Sequence, residues 1–519
     1  MTVSFPLTFC IYKILTNHNI SMKTQSIWNS KKCKNLPSLQ ENLETGILII
    51  GGGMTGLSSL YHLSKNSNLK PILVEANTCG RGVTSKSTAK ITYLQDNTIM
   101  NIAKLIGIEK AKAYIHSQIE AIELLKGIIT REKIDCDFEQ ASSYLFSFSK
   151  KGDKKLAELE MLLKSCGVKV CSPSRLPIDM TSTHTLQVED TYVFHPLKYI
   201  DALKEKFPKR IYENSKVTSI EKVGDTYICK INEHYEVTCK YVVLASHYPY
   251  FLWPYLFPLK THIEVSYLKA QQVKKTEPFS LINIDKPTIS MRYHESGKDK
   301  YQIELKGSLM SPNVNSIKDY FENLTEGTDF TYTWSNNDII TSDYLPYVGP
   351  ISKDDNTFLL ATGYNTWGMT NGTLAGKIIA DIITSKENDY IRLFSPLRGL
   401  NLAKIIRFPV DVSCSLVAFV RSSHKNRNNK NVRYVKKNGE NLAIYKDEDG
   451  VEHVVYDRCP HMKCGLIFNE VEKTWDCLCH GSRYDIDGRV IEGPSNKDIT
   501  YNSIYNEEND GVDKKINKV

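Results

Sequence analysis

The stretch Gly46-Ile-Leu-Ile-Ile50-Gly-Gly-Gly53-Met-Thr-Gly56, continued by Leu57-Ser-Ser-Leu60-Tyr-His-Leu63 and then by Pro71-Ile-Leu-Val74-Glu75, decides how most of this chain folds. Ile47 to Ile50 is an apolar run of strand length, and a run without polar alternation reads as a strand buried on both faces. The glycines let backbone approach a pyrophosphate, and a helix opening after them turns its N-terminal N–H groups toward that charge. Leu57, Leu60 and Leu63 repeat at helical spacing. A second short strand ends in Glu75, nineteen residues beyond Gly56, where an acid accepts from a ribose hydroxyl. Strand, glycine turn, helix, strand and acid in this order predict a dinucleotide-binding unit, with Gly51, Gly52, Gly53, Met54, Thr55, Gly56 and Glu75 as cofactor-binding residues. The acid suits FAD and NAD equally.

Toward the other end, Cys459-Pro-His461-Met-Lys-Cys464 is answered, sixteen residues after His461, by Cys477-Leu-Cys479-His480-Gly-Ser. Cys-x-His and Cys-x-x-His offer two thiolates and two imidazoles in pairs. Two irons bridged by sulfides need four protein ligands, and two His on one iron make the cluster Rieske-type, with a raised potential. Cys459, His461, Cys477 and His480 are therefore the expected ligands of a [2Fe-2S] cluster, which moves one electron at a time. Cys and His at short spacings also hold zinc, and that is the competing reading of the same four residues.

Distant segments bear on the choice of dinucleotide. Lys216-Val217-Thr-Ser-Ile220 alternates, and Lys240-Tyr-Val-Val-Leu244-Ala245-Ser246 is a strand entering a small-residue turn. Asp343-Tyr-Leu-Pro346-Tyr-Val-Gly349-Pro350 precedes Thr357-Phe-Leu-Leu-Ala361-Thr-Gly363-Tyr-Asn365-Thr-Trp-Gly368-Met369-Thr370-Asn-Gly372, with a helix expected over 373–383. In this order, roughly over residues 40–385, these segments resemble the FAD-dependent amine and amino-acid oxidoreductases of the D-amino-acid oxidase superfamily. The resemblance implies non-covalent FAD, with Val217, Ala245, Gly363, Gly368, Met369 and Thr370 beside it. It also places Thr84, Ser85 and Thr88, in Gly82-Val-Thr84-Ser85-Lys86-Ser-Thr88-Ala-Lys90, beneath the pyrophosphate and flavin. Arg292 stands on a strand that faces the flavin in relatives, which makes it the candidate catalytic residue, as a carboxylate clamp; a surface arginine is the alternative. His195 reads as structural, and Trp334 and Asp338 as packing. Catalysis by placing a substrate C–H over the flavin needs no nucleophile or triad.

The second segment resembles Rieske domains. In those proteins, cysteines at the places of Cys464 and Cys479 form a disulfide between the ligand loops. Hydroxyls at the places of Ser482 and Tyr484 donate to cluster sulfur and raise its potential. A glycine-proline loop, here Gly493-Pro494, closes over the cluster. A zinc site gives no reason for this surrounding set. The sequence departs from the usual box at Leu478, where proline is common, and at Tyr484, where many members carry Phe; neither is a ligand. The combination matches a bacterial family of FAD-dependent oxidoreductases with a C-terminal Rieske domain, from Ser26-Ile-Trp28 to about Ile499.

The expected fold is an α/β, Rossmann-like FAD-binding domain with an interleaved α+β substrate domain, followed by an all-β Rieske domain. Residues 1–40 form an N-terminal extension, with Met22 as an alternative start. Residues 41–390 form the flavoprotein, with FAD-binding parts at about 41–100, 191–255 and 336–390 and a substrate domain at about 101–190 and 256–335. Residues 391–434 are a linker with a helix over 401–419, 435–505 the Rieske domain and 506–519 a polar tail. Within the substrate domain, helices are expected over 102–129 and 154–166.

The chain has 519 residues, 41% of them hydrophobic, which allows about three domains. A net charge of +7, from 66 basic and 59 acidic residues, is too mild to argue for nucleic acid. The basic run from Arg421 to Lys437 reads as a solvated linker or as a docking patch for an acidic redox partner. Thirteen cysteines, nine of them scattered, do not form a secreted disulfide pattern. No apolar run reaches membrane-span length, and the cytoplasm is the expected location. The expected activity is oxidation of a small amine or amino acid by FAD, with electrons passing singly through the cluster to an acceptor, such as a redox protein. An oxygen-using amine oxidase with an accessory cluster, a cluster-fed reductase, and a redox sensor or scaffold with little turnover remain alternatives.

Overall fold

In the computed structural model, the apolar run Ile47–Ile50 ends the strand Leu43–Ile50, and Ile47, Leu48 and Ile49 are wholly buried. Parallel strands flank it on both sides, Tyr235–Leu244 and Ile72–Val74, and its last four residues are all buried, so both faces are covered there, as the unbroken apolar run requires. The structure describes residues 25–30, 35–249, 260–286, 288–310, 330–399, 431–470, 472–495 and 497–501. Among these, the first sheet has eight strands, with a central path Tyr347–Pro350, Phe358–Thr362, Tyr235–Leu244, Leu43–Ile50, Ile72–Val74 and Ile211–Tyr212. The helix Met54–Asn66 starts directly after the glycine turn and packs along the helix Gly368–Ile383. That second helix begins five residues before the start expected from sequence.

Gly56 shows why the turn needs glycine. A Cβ there would lie 1.8 Å from the Gly51 carbonyl oxygen, so any side chain would push the helix off the strand end.

A seven-stranded sheet forms the second layer, in the order Phe330–Thr341, Thr261–Gln272, Asp299–Met310, Ile289–Ser296, Phe279–Asn283, Ser142–Ser147 and His184–Val188. The single helix expected over 102–129 is two, Thr98–Ile106 and Ile108–Glu132, separated by Gly107 at φ +102°. The helix expected over 154–166 runs from Lys150 to Ser165, opened by the Ser149 hydroxyl accepting from Gly152 N.

The C-terminal part is small and antiparallel. It has a three-stranded sheet (Val432–Lys437, Glu440–Lys446, Glu452–Tyr456) and a four-stranded one (Ile467–Asn469, Thr474–Asp476, Arg483–Tyr484, Val490–Glu492). Buried Trp475, Tyr484, Phe468 and Tyr445 fill its core, with Tyr445 and Phe468 stacked at 4.1 Å. Arg433 and Lys436, at the end of the basic run, lie on its first strand, where Arg433 pairs with Glu452 at 2.7 Å. The rest of that run up to residue 430, the helix expected over 401–419, Met1 to Met22 and the tail 506–519 lie outside the described residues.

The strands Thr261–Gln272 and Phe330–Thr341 pair in register, Glu264 opposite Asp338 and Ser266 opposite Asn336. Side chains alternate across a sheet. Ile263, Val265, Ser335 and Asn337 therefore meet the C-terminal domain, while Glu264, Ser266, Asn336 and Asp338 line a large cavity on the other face. This two-strand wall separates the two halves of the candidate site.

Candidate active site and cluster site

The cavity has a volume of about 940 Å³ and runs from the glycine turn to the wall just described. Of the residues expected from sequence to hold the cofactor, Gly51, Gly52, Gly53, Met54, Thr55, Glu75, Thr84, Thr88, Val217, Ala245, Gly368 and Met369 line it. Glu75 accepts from Gly52 N at 2.7 Å and from Asn77 N at 2.9 Å. Burial raises its carboxyl above the usual range, the backbone donors opposing that shift. The Thr84 hydroxyl accepts from Met54 N at 3.3 Å, which ties the polar loop to the first turn of the helix.

Five expected residues are not brought to the cavity wall. Gly56 serves the strand–helix approach. Ser85 is wholly buried, and its hydroxyl donates to Gly82 O at 2.9 Å. Gly363, at φ +73°, packs against Thr341. The Thr370 hydroxyl donates to Gln118 Oε1 at 2.7 Å, inside the helix packing.

Arg292, the fifth, is neither at the surface nor placed as a carboxylate clamp. It is fully buried, and its Nη1 donates to the carbonyls of Thr88, Ala89 and Phe194 at 2.9–3.1 Å, its Nε to Tyr293 O at 3.0 Å. Its guanidinium lies over Trp28, whose indole donates to Ser87 O at 2.8 Å. The Ser26 hydroxyl donates to Ser85 O at 2.5 Å. Arg292 and the Ser26–Trp28 segment thus brace the 82–90 loop by satisfying its carbonyls. His195 likewise caps a helix, its Nδ1 accepting from Lys198 N at 3.3 Å.

Other cavity residues carried no sequence signal: Lys90, His247, Tyr248, Glu264 and Asn336, with Asp338, which read as packing. Lys90 Nζ donates to Leu281 O at 2.7 Å and to the Ser290 hydroxyl. Burial, then the nearby Arg292 charge, lowers its ammonium well below the usual range. The Trp334 indole donates to Lys86 O at 2.8 Å, which is the packing role expected of it.

At the second site, the four expected ligands converge. The rings of His461 and His480 stand 4.9 Å apart and nearly perpendicular. Both Nδ1 atoms are buried without a hydrogen-bond partner. Burial lowers both imidazoles, His480 to about 3 with His461 adding to the shift, so both are neutral and able to ligate. Cys459 and Cys477 are buried free thiols. The Cys459 thiol is held below its usual range, first by a hydrogen bond with Cys477 and further by Tyr484 and Ser482. The Tyr484 hydroxyl lies 3.2 Å from Cys459 Sγ. Ser482 Oγ accepts from Ser495 N at 2.9 Å, next to the cis Gly493-Pro494 bond. Cys464 and Cys479 are joined in a disulfide that links the two ligand loops. Their sulfurs lie within 4.8 Å of Cys477 Sγ, but two of these three atoms are spent on each other, so this trio is not a metal site. Two thiols and two imidazoles with buried, unpartnered Nδ1 atoms suit a [2Fe-2S] cluster with two His on one iron.

Direct contacts join the two sites. Asn337 Nδ2 donates to Gly481 O at 3.1 Å. Arg483, buried, donates to Glu472 and Asp476 within its own domain and, at 3.2 Å, to the Ser335 hydroxyl. Glu472 accepts in turn from Ser335 N and Oγ. Lys86 of the flavin-side loop pairs with Glu492 at 2.7 Å. Val490 to Gly493 of the cluster domain form part of the cavity wall. Tyr248, also on that wall, packs edge-on against both cluster histidines, with centroids 6.1 Å from His461 and 6.0 Å from His480. No described helix is long and apolar enough to cross a membrane.

Comparison with known proteins agrees with this geometry. Residues 46–382 match the family model for FAD dependent oxidoreductases, and residues 417–503 that for the Rieske [2Fe-2S] domain. YhfW of Bacillus subtilis (strain 168), named for a Rieske 2Fe-2S iron-sulfur protein, is 29% identical over 494 residues, covering 92% of this chain and 97% of its own. Gamma-glutamylputrescine oxidoreductase of Escherichia coli (strain K12) is 23% identical over 399 residues, 71% of this chain and 90% of that protein. Glycine oxidase from Geobacillus kaustophilus shares the fold with a TM-score of 0.55 at 14% identity, over 69% of this chain and all of that one. The chain belongs to the FAD-dependent oxidoreductase family of D-amino-acid-oxidase type and carries a C-terminal Rieske domain, so that its cofactors are FAD and a [2Fe-2S] cluster.

Proposed function

We propose that this oxidoreductase oxidises a small amine or amino acid and passes the electrons one at a time through its cluster to an acceptor. Tyr248 carries the reading: one aromatic ring lines the FAD cavity and packs against both histidines of the cluster site. FAD, when bound, supplies two-electron oxidation of a C–N bond, and the cluster supplies one-electron transfer. The chain's own residues hold and orient. The glycine turn and Thr84 receive the pyrophosphate, Glu75 the ribose, and the wall strands exclude water between the sites. Cys459, His461, Cys477 and His480 would hold the iron, and the Tyr484 and Ser482 hydroxyls would donate to sulfur. Met462, between the ligands, is 38% exposed, which leaves an outside partner an approach to the same cluster.

The test is anaerobic mixing with a panel of amines and amino acids. A substrate should bleach the flavin, and a one-electron dye should then be reduced by the native protein but not by a His480→Ala variant. When the same reaction is run in air, hydrogen peroxide made stoichiometrically with product, and undiminished in that variant, would show instead an oxidase with an idle cluster.

A further inference from the structure

The geometry points to the substrate being a diamine or longer polyamine, whose second, non-reacting ammonium is seated between Glu264, Asp338 and Asn336. This rests on the amine-oxidising reading above and narrows its substrate class. Glu264 and Asp338 are directly opposed on neighbouring strands, and both line the cavity. Asp338 is 92% buried by its 8% relative exposure, and Asn336, on the same face, is 5% exposed. Asn336 Nδ2 donates to Asp338 Oδ2 at 3.1 Å, while Asn336 Oδ1 is buried with no partner. An unpartnered buried acceptor is costly unless a ligand satisfies it. Two carboxylates and one amide carbonyl match the three N–H donors of an alkylammonium.

The charges nearby agree. Burial, then Glu264 and later Glu492, push the Asp338 carboxyl up to about 7, with hydrogen bonds from Asn336 and Ser266 opposing the shift; an ammonium seated here would relieve the repulsion and restore the carboxylate. His262 Nε2 stands 3.6 Å from Glu264, and Lys86 is paired with Glu492. Arg292, the guanidinium that could have received a carboxylate, is spent on backbone carbonyls. An amine must release its proton before its lone pair can assist oxidation, whereas a carboxylate pair favours the protonated form. The nitrogen held here is therefore not the one oxidised, and the substrate carries two.

The test uses the holoprotein with its flavin already reduced by dithionite, so that amines bind without turnover, and reads affinity by anaerobic calorimetry. Diamines of three to six carbons and butylamine should bind, and butanoate should not. Glu264→Gln and Asp338→Asn should each weaken diamine binding on the order of 30-fold or more, the loss typical of removing one partner of a buried charge contact. Butanoate binding as tightly as butylamine overturns the inference, and that comparison needs no variant. Unchanged diamine affinity in both variants also overturns it. With oxidised protein, flavin bleached by amino acids but not by diamines sinks this inference and leaves the proposed function standing. Bleaching by neither class sinks the proposed function itself.

Discussion

Asn337 and Asp338 are consecutive on one strand and serve opposite sites: Asn337 donates to the Gly481 carbonyl of the cluster loop at 3.1 Å, while Asp338 lines the flavin cavity. Because side chains alternate along a strand, a wall one residue thick carries both the docking face and the substrate face. The same alternation places Ser335 against Arg483 and Asn336 in the cavity.

The docking face rests on a buried ion cluster. Arg483→Ala leaves Glu472 buried without its partner and should cost about 3–5 kcal/mol of stability. Calorimetric unfolding should show the cluster domain melting apart from the flavoprotein. A single unshifted transition would assign the docking to other contacts.

Glu472 also gives docking a pH dependence. Burial alone would raise its carboxyl, but Arg483 and Lys86 hold it down to about 2. The folded protein thus favours the carboxylate. That contribution is fully present above the ordinary value of 4.5 and is lost as pH falls through the window toward about 2. Separate melting of the domains should appear within this window, and Glu472→Gln should abolish its pH dependence while lowering stability at neutral pH.

Tyr484→Phe removes the hydroxyl 3.2 Å from Cys459 Sγ without touching a ligand. Losing one hydrogen bond of about 1 kcal/mol that favours the reduced cluster should lower its potential by on the order of 40 mV. Voltammetry of the purified protein checks this, with iron content expected to stay constant. An unchanged potential would mean that the hydroxyl does not donate to the cluster.

Gly56→Ala drives a Cβ to 1.8 Å from the Gly51 carbonyl oxygen. The helix must shift, at a cost of about 1–3 kcal/mol or more, and the glycine turn shifts with it. Bound flavin per chain should fall, with iron per chain unaffected. Full flavin occupancy would show that the turn tolerates the displacement.

Legibility followed locality. The glycine turn, Glu75 and the four cluster ligands are encoded within short stretches whose spacing carries the chemistry, and the structure brings each set together. Helix breaks were less visible: Gly107 divides an otherwise continuous apolar period. Arg292 misled because its strand was identifiable but its rotamer was not; its charge satisfies two carbonyls of the 82–90 loop, those of Thr88 and Ala89, together with that of Phe194. Asp338, Glu264 and Asn336 were invisible as a group because they meet only through the cross-strand register of segments about seventy residues apart. Tyr248 follows a recognisable strand, but nothing local announces that a domain from the far end of the chain packs on its ring.

Freeze-quench EPR after anaerobic mixing with an oxidisable amine tests the central claim most directly. The account predicts that a reduced Rieske signal grows as the flavin absorbance bleaches, and that Tyr248→Ala slows its growth while leaving the bleaching rate unchanged. A fully bleached flavin beside a cluster that stays oxidised would contradict it.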